Sequence, residues 1–289
     1  MRVGVGLPMK ALGRDELVKF VTAVEAGPFD SVSLGQRLTF DSHDPMIALT
    51  FAAAITERIR LLTSVLCLPY HKEGVTAQQA ASLDKLSKGR FSFGIGLGGR
   101  ESDFAVAPEP WPRRGARFEA QLIAMKKIWN GEPPFDGTEP VGPVPYTKGG
   151  PELIVGGFAP KSLERAGRLA DGIRSFSTAT DPKEHLDRLA ITNEAWQKAG
   201  RAGEPVLIVA THFALGPNAR EVYEQHVRSY YGYSPELVAK SLGDNPPTSP
   251  EAIRDTIARF RDAGIDELVF TSVTSDSMGA VERLADAIG

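Results

Sequence analysis

Arg37, His71, Glu101 and two glycine-rich turns are the places where residue type and position could do chemistry in this chain. Arg37 follows the apolar run 30–34 through Gly35-Gln36, so a guanidinium leaves the end of a buried strand. It would enter a binding site or close a salt bridge on a rim. His71 follows Pro69-Tyr70 at another strand exit and could act as an acid or base, because imidazole titrates near neutrality. A lone loop histidine is more often a bystander, and His43 and His212 carry less weight still. Glu101 could accept a hydrogen bond from a ligand or pair with Arg100 or Arg117.

The stretch 83–101, LDKLSKGRFSFGIGLGGRE, organises the rest. Side chains alternate along a strand, so Phe91, Phe93, Ile95 and Leu97 share one face and Ser92, Gly94, Gly96 and Gly98 the other. A bare face is wanted where backbone or a flat ligand approaches closely. It is either tight packing or the floor of a ligand site. Gly94, Gly96 and Gly99 match G-x-G-x-x-G, but a dinucleotide site needs a helix to open at once beneath the pyrophosphate. Pro108, Pro110 and Pro112 predict that none opens over 100–113. The second turn, VGGFAPKSL, places Gly156, Gly157 and Phe158 just before Lys161 and Ser162 at a helix start. Backbone N–H groups and the positive helix end favour a phosphate there; the alternative is a plain strand-to-helix turn.

Other chemistries find no support. The histidines are not at metal-ligand spacing, no H-E-x-x-H is present, and no G-x-S-x-G elbow marks a serine hydrolase. A single cysteine, Cys67, excludes an internal disulfide and suits a reducing compartment. The formal net charge of −3 argues against nucleic acid or an anionic membrane as partner. No apolar run reaches the length of a membrane span, and MRVGVGLP runs straight into a strand rather than a signal peptide, so the cytoplasm is the expected location.

Positioning falls to short apolar strands at 3–7, 30–34, 59–66, 91–95, 153–155, 172–176, 206–213 and 267–272. Helical periodicity fills every gap and follows the last strand. Asp44 is placed to cap a helix beginning at Pro45. The segment 130–150 is rich in Gly and Pro and predicts an insertion or lid after the fourth strand, and 235–248 is irregular. Strands without polar alternation have both faces covered. Eight such units predict one (β/α)8 TIM barrel over 1–289, with its chemistry at the C-terminal strand ends.

The stretches FDSVSLGQR, ITERIRLLTSVLCLP, AQQAASLDKLSKGRFSFGIGLGGRESDF, RRGARFEAQLIAMKKIW, LIVGGFAPKSLERAGRLADG and FRDAGIDELVF resemble, in order and over nearly the whole chain, the luciferase-like flavin-dependent oxidoreductases, and most of all their F420-dependent branch. The resemblance implies coenzyme F420, or alternatively FMN, in the barrel mouth. It implies a non-proline cis peptide at Ser64-Val65 behind the ring, with Leu7, Gln36 and Thr63 around it. The exit formed by Gly96, Gly98, Gly99 and Ser102 would contact the ring or its ribityl chain, and the phosphate would lie near Gly156, Gly157 and Phe158. The implied activity is hydride transfer between F420 and a small organic substrate, with Arg37 stabilising charge and His71 or Glu101 moving a proton. The alternatives are an FMN monooxygenase using dioxygen, or a non-catalytic flavin-binding relative. A separate flavin or F420 reductase and a homodimer are the implied partners. Family members often carry an acidic residue where Gln36 stands, Trp where Ser33 stands and His-Pro where Lys72-Glu73 stand; Gln36 can hydrogen-bond but cannot act as a base.

Overall fold

The computed structural model describes residues 1–289 apart from 108, 178–179, 233–234 and 244–245. Its strands are β1 (Arg2–Gly6), β2 (Ser31–Leu34), β3 (Arg60–Thr63), β4 (Leu66–Cys67), β5 (Phe91–Gly96), β6 (Glu152–Gly156), β7 (Gly172–Phe176), β8 (Val206–Phe213) and β9 (Glu267–Ser272). All pair in parallel; β9 returns to β1 and β3 pairs β5, so the sheet closes into a barrel. The helices are α1 (Arg14–Ala26), α2 (Pro45–Ala54), α3 (Glu73–Leu86), α4 (Glu101–Ala105), α5 (Arg114–Trp129), α6 (Pro160–Leu169), α7 (Lys183–Lys198), α8 (Ala219–Tyr231), α9 (Pro235–Gly243), α10 (Pro250–Asp262) and α11 (Ser277–Ile288). Phe91, Phe93 and Ile95 join the main core between sheet and helices. No helix among the described residues is long and apolar enough to cross a membrane.

The inward faces of the strands stack in layers, because residues two apart share a face. At the N-terminal end, the buried Glu267 carboxylate accepts from Ser31 Oγ at 2.5 Å and from Arg60 Nη1 at 2.7 Å, with Arg2 Nε 3.0 Å away. Arg60 also reaches Ser92 and Glu152. Packed on this layer, Leu62, Ile154, Ile208, Ala210 and Val269 form an apolar plug. Two residues beyond Ile154, Ala210 and Val269, Gly156, His212 and Thr271 open onto a cavity.

Four local expectations change. The strand expected at 59–66 is two pieces, β3 and β4, separated at Ser64-Val65, whose peptide bond is cis. A five-residue helix, α4, does open at Glu101; Pro110 and Pro112 lie beyond its end, and Pro108 lies outside the described residues. Residues 235–243 are helical rather than irregular.

The fourth change concerns the lid. The 130–150 segment carries no helix or strand, but it is pinned at the N-terminal rim of the barrel. Thr147 N–H and Oγ1 both donate to Asp84, at 2.7 and 3.0 Å. None of the segment lines the cavity, because a chain running from a helix back into β6 arrives at the opposite end. The excursion at the mouth is instead α8 with α9. Tyr223, Val227 and Tyr231 of α8 pack in their own cluster with Ala214, Phe176 and Val238, while α10 supplies Ile253, Ile257 and Phe260 to the barrel layer.

Candidate active site

The C-terminal strand ends surround a cavity of about 580 Å³, a size typical of small-molecule sites. Leu7, Gln36, Arg37, Ser64, Val65, Gly96, Gly98, Gly99, Gly156, Gly157 and Phe158 line it. His71, Thr63, Glu101 and Ser102 do not. Thr63 is buried beneath, its hydroxyl donating to Gly94 C=O at 2.7 Å. Glu101 and Ser102 are exposed on α4, and Glu101 pairs with neither Arg100 nor Arg117. The acid of that turn that matters is Asp103, two residues on.

Arg37 combines both roles considered for it. It lines the cavity, and its Nε lies 3.0 Å from Asp103 Oδ2. Burial works against the Asp103 charge, but hydrogen bonds from Thr39 and from Arg37 outweigh it and hold the carboxyl below the usual range. Arg37 Nη1 also donates to Tyr230 Oη at 3.4 Å, tying the strand to α8.

Gln36 is locked. Its Oε1 accepts from Cys67 N–H at 3.0 Å and from His71 Nε2 at 3.1 Å, while Nε2 donates to Asp44 Oδ2 at 3.4 Å. Asp44 Oδ1 meanwhile caps α2 through the amides of Met46 and Ile47, so one carboxylate fixes both the helix start and the Gln36 amide. Burial lowers the His71 pKa, against an opposing effect of Asp44. His71 is therefore a neutral donor behind Gln36, holding its orientation.

The glycine face divides its work. A Cβ on Gly96 would lie 2.7 Å from Val65 Cγ2, and one on Gly156 would lie 2.8 Å from Val65 Cγ1. The bare face thus lets the Val65 side chain sink between β5 and β6, and Val65 forms the cavity floor. At Gly99 nothing lies within 4 Å of an added Cβ, and there the absence of a side chain leaves open space.

The start of α6 has no side-chain cap; Pro160 has no N–H and the Ser162 N–H donates to Ala159 C=O at 2.8 Å, which leaves the Lys161 N–H of the first turn for an anion. Ser162 is buried and lines the cavity; Lys161 is exposed. Arg114, at the first position of α5, also lines it, its guanidinium 3.4 Å from the Trp111 ring centre.

Sequence reasoning missed or underweighted the far wall: Arg174 and Phe176 on β7, His212 on β8, and Tyr230 and Tyr231 on α8. The signal was present, since a charge inside the apolar strand GIRSF must face either the core or the lumen. His212 Nε2 lies 3.0 Å from Tyr231 Oη. Burial first, then the neighbouring His226 and Arg174, push its pKa from the ordinary 6.5 down to about 3. A depressed folded-state pKa means that the unfolded chain binds the proton first. The associated stability is complete above pH 6.5 and is lost as pH falls towards about 3. Thermal melts from pH 7 to 4 should therefore fall less steeply for His212→Gln than for wild type, the site contributing at most about 1.4 kcal/mol per pH unit. Parallel curves would show that His212 is not held neutral.

Comparison with known proteins agrees with this geometry. Residues 1–269 match the family described as luciferase-like monooxygenase. The chain is 33% identical over 333 aligned positions to the F420-dependent glucose-6-phosphate dehydrogenase of Beutenbergia cavernae, covering all of this chain and 96% of that one. The chain spans about 60% of the length of the mycobacterial relatives that it matches at 32% identity. Among solved structures, an F420-dependent secondary alcohol dehydrogenase in complex with an F420-acetone adduct superposes with a TM-score of 0.80 at 16% identity, covering 99% of this chain and 97% of that one. The oxygenating constituent of 3,6-diketocamphane monooxygenase of Pseudomonas putida, in complex with FMN, does so with a TM-score of 0.75 at 18% identity, covering 99% and 96%. At such identities the likeness is one of fold.

Proposed function

Because the chain belongs to the luciferase-like monooxygenase family, we propose that it is an oxidoreductase using F420 or FMN, with F420-dependent hydride transfer to or from a small organic substrate as the favoured chemistry. The observation that carries this reading is the charge of the cavity. Arg37 and Arg114 line it, no carboxylate does among the described residues, and of the two only Arg37 is offset by a neighbouring acid. Such a site suits a flat ligand bearing a phosphate. The F420-dependent relative in Beutenbergia cavernae supports the choice of F420.

The residues present fit that group. Gly156, Gly157 and Ser162 at the start of α6 would hold the phosphate, and Val65 would carry the ring. When bound, the cofactor supplies the hydride acceptor or donor. The chain's own part is to place and isolate it. Gln36, fixed by Cys67, His71 and Asp44, presents an oriented amide at the cavity wall. Arg37, held at a set angle by Asp103, places positive charge where negative charge develops on ring or substrate, without reorganising during the reaction. The apolar plug keeps water out from below.

Fluorescence titration of purified protein with F420 and with FMN tests the reading. Saturable binding of F420, with redox turnover, is expected; binding of FMN with oxygen consumption would favour the monooxygenase alternative. Tight binding without turnover would point to a non-catalytic relative, and binding of neither would overturn the proposal. In a turnover assay Arg37→Ala should lose about 100-fold or more in kcat, with Arg37→Lys intermediate and melting temperatures preserved. Unchanged turnover would remove Arg37 from the mechanism.

A further inference from the structure

Arg174 is a half-buried cation that lines the cavity without a partner among the described residues. It stands on β7 level with Gly156 and with Ile208 of the apolar plug, at the foot of the cavity. Among the described residues it makes no hydrogen bond or ion pair, and its Nε is buried with no acceptor. Taking an unpaired guanidinium partly out of water is costly, so the arrangement persists only where a ligand completes it or some other constraint compels it. Burial lowers its pKa to about 10, which still leaves it charged at neutral pH.

What surrounds the charge limits what could complete it. The Phe176 ring centre is 5.9 Å from the guanidinium carbon. Phe176 meets His212 edge-on at 5.0 Å and runs nearly parallel to Tyr231 at 6.4 Å. His226 extends the wall, 4.9 Å from His212 and stacked on Tyr230 at 5.4 Å. The wall is aromatic and burial favours the neutral form of both its histidines, so Arg174 supplies its positive charge. Ser162, on α6, and Val65, between β3 and β4, belong to other elements, although Gly156 is the neighbour of Arg174 across the sheet.

We propose that Arg174 anchors the substrate of this enzyme, holding the carboxylate of a flat, conjugated acid whose body lies along Phe176, His212 and Tyr231. A planar guanidinium matches a carboxylate with two parallel N–H···O bonds, which a neutral isostere cannot reproduce. The word substrate rests on the oxidoreductase reading given above; the anion site itself does not.

The test uses benzoate and benzamide as probes, titrated by calorimetry into the protein with and without saturating F420 or FMN, with cofactor affinity measured separately by fluorescence. Wild type should prefer benzoate. Arg174→Gln should weaken benzoate by about 10- to 100-fold, leave benzamide unchanged and keep cofactor affinity within about threefold of wild type, a difference below 1 kcal/mol. Arg174→Lys should recover part of the benzoate affinity and controls for a folding defect in the glutamine variant. Equal binding of the two probes to wild type overturns the proposal, as does undiminished benzoate binding to Arg174→Gln. A fall in cofactor affinity as large as the fall in benzoate affinity also overturns it, because the guanidinium then serves the cofactor. Arg174-dependent benzoate binding in a protein that takes up neither cofactor would refute the flavin reading and leave the anion site standing.

Discussion

Gly96→Ala is expected to weaken binding of F420 or FMN by about 10- to 100-fold while the protein stays folded. The new methyl would arrive 2.7 Å from Val65 Cγ2 and 3.3 Å from Gly156 C=O. Backbone does not yield on that side, so the Val65 side chain must rise into the cavity, where the ring would rest. Overpacking of this kind costs about 1–3 kcal/mol, which a domain with about 5–15 kcal/mol of stability survives. The decisive comparison is the double variant Gly96→Ala with Val65→Ala, which removes the displaced methyls. Cofactor affinity should return towards wild type in the double variant, and Val65→Ala alone should bind nearly normally. Failure of the second change to rescue the first would show that Val65 is not the floor.

Removing the Glu267 carboxylate should have the largest effect on stability. Glu267→Ala leaves Arg60, Arg2 and Ser31 facing each other at the closed end of the barrel, where the glutamate side chain is 1% exposed. Breaking a buried charge cluster by deleting one partner costs about 3–5 kcal/mol. Urea denaturation followed by fluorescence should show a midpoint shift of that order, and Glu267→Gln should lose less because it still accepts a hydrogen bond. A shift below about 1 kcal/mol would mean that water already screens the cluster. Neither variant touches the cavity lining, so cofactor affinity measured on the folded fraction should be unchanged.

The barrel was legible because its signal is repetitive. Short apolar strands alternated with helical periodicity, and caps such as Asp44-Pro45 marked where helices begin. The bare face of β5 and the paired glycines before α6 were also legible, since glycine at alternating positions has few readings. What one strand does to its neighbour was not. That Val65 fills the space left by Gly96 and Gly156 depends on three strands meeting, and no local pattern encodes it. Glu101 attracted attention because it follows the glycines directly, but helix geometry turns it outwards and turns Asp103 in towards Arg37. The 130–150 segment looked like a lid because it is long and irregular; composition says nothing about which end of a barrel a connection lies on. Arg174 could have been found by alternation alone, as it shares a strand face with Phe176.

The stopper of Leu62, Ile154, Ile208, Ala210 and Val269 has a kinetic consequence. It leaves the bore open towards solvent at one end, so two guest molecules must share a single doorway. The guest seated lower has to arrive first and depart last. Compulsory-order kinetics, with the guest nearer the mouth exchanging before the one behind it, is the pattern that a blind-ended vessel imposes.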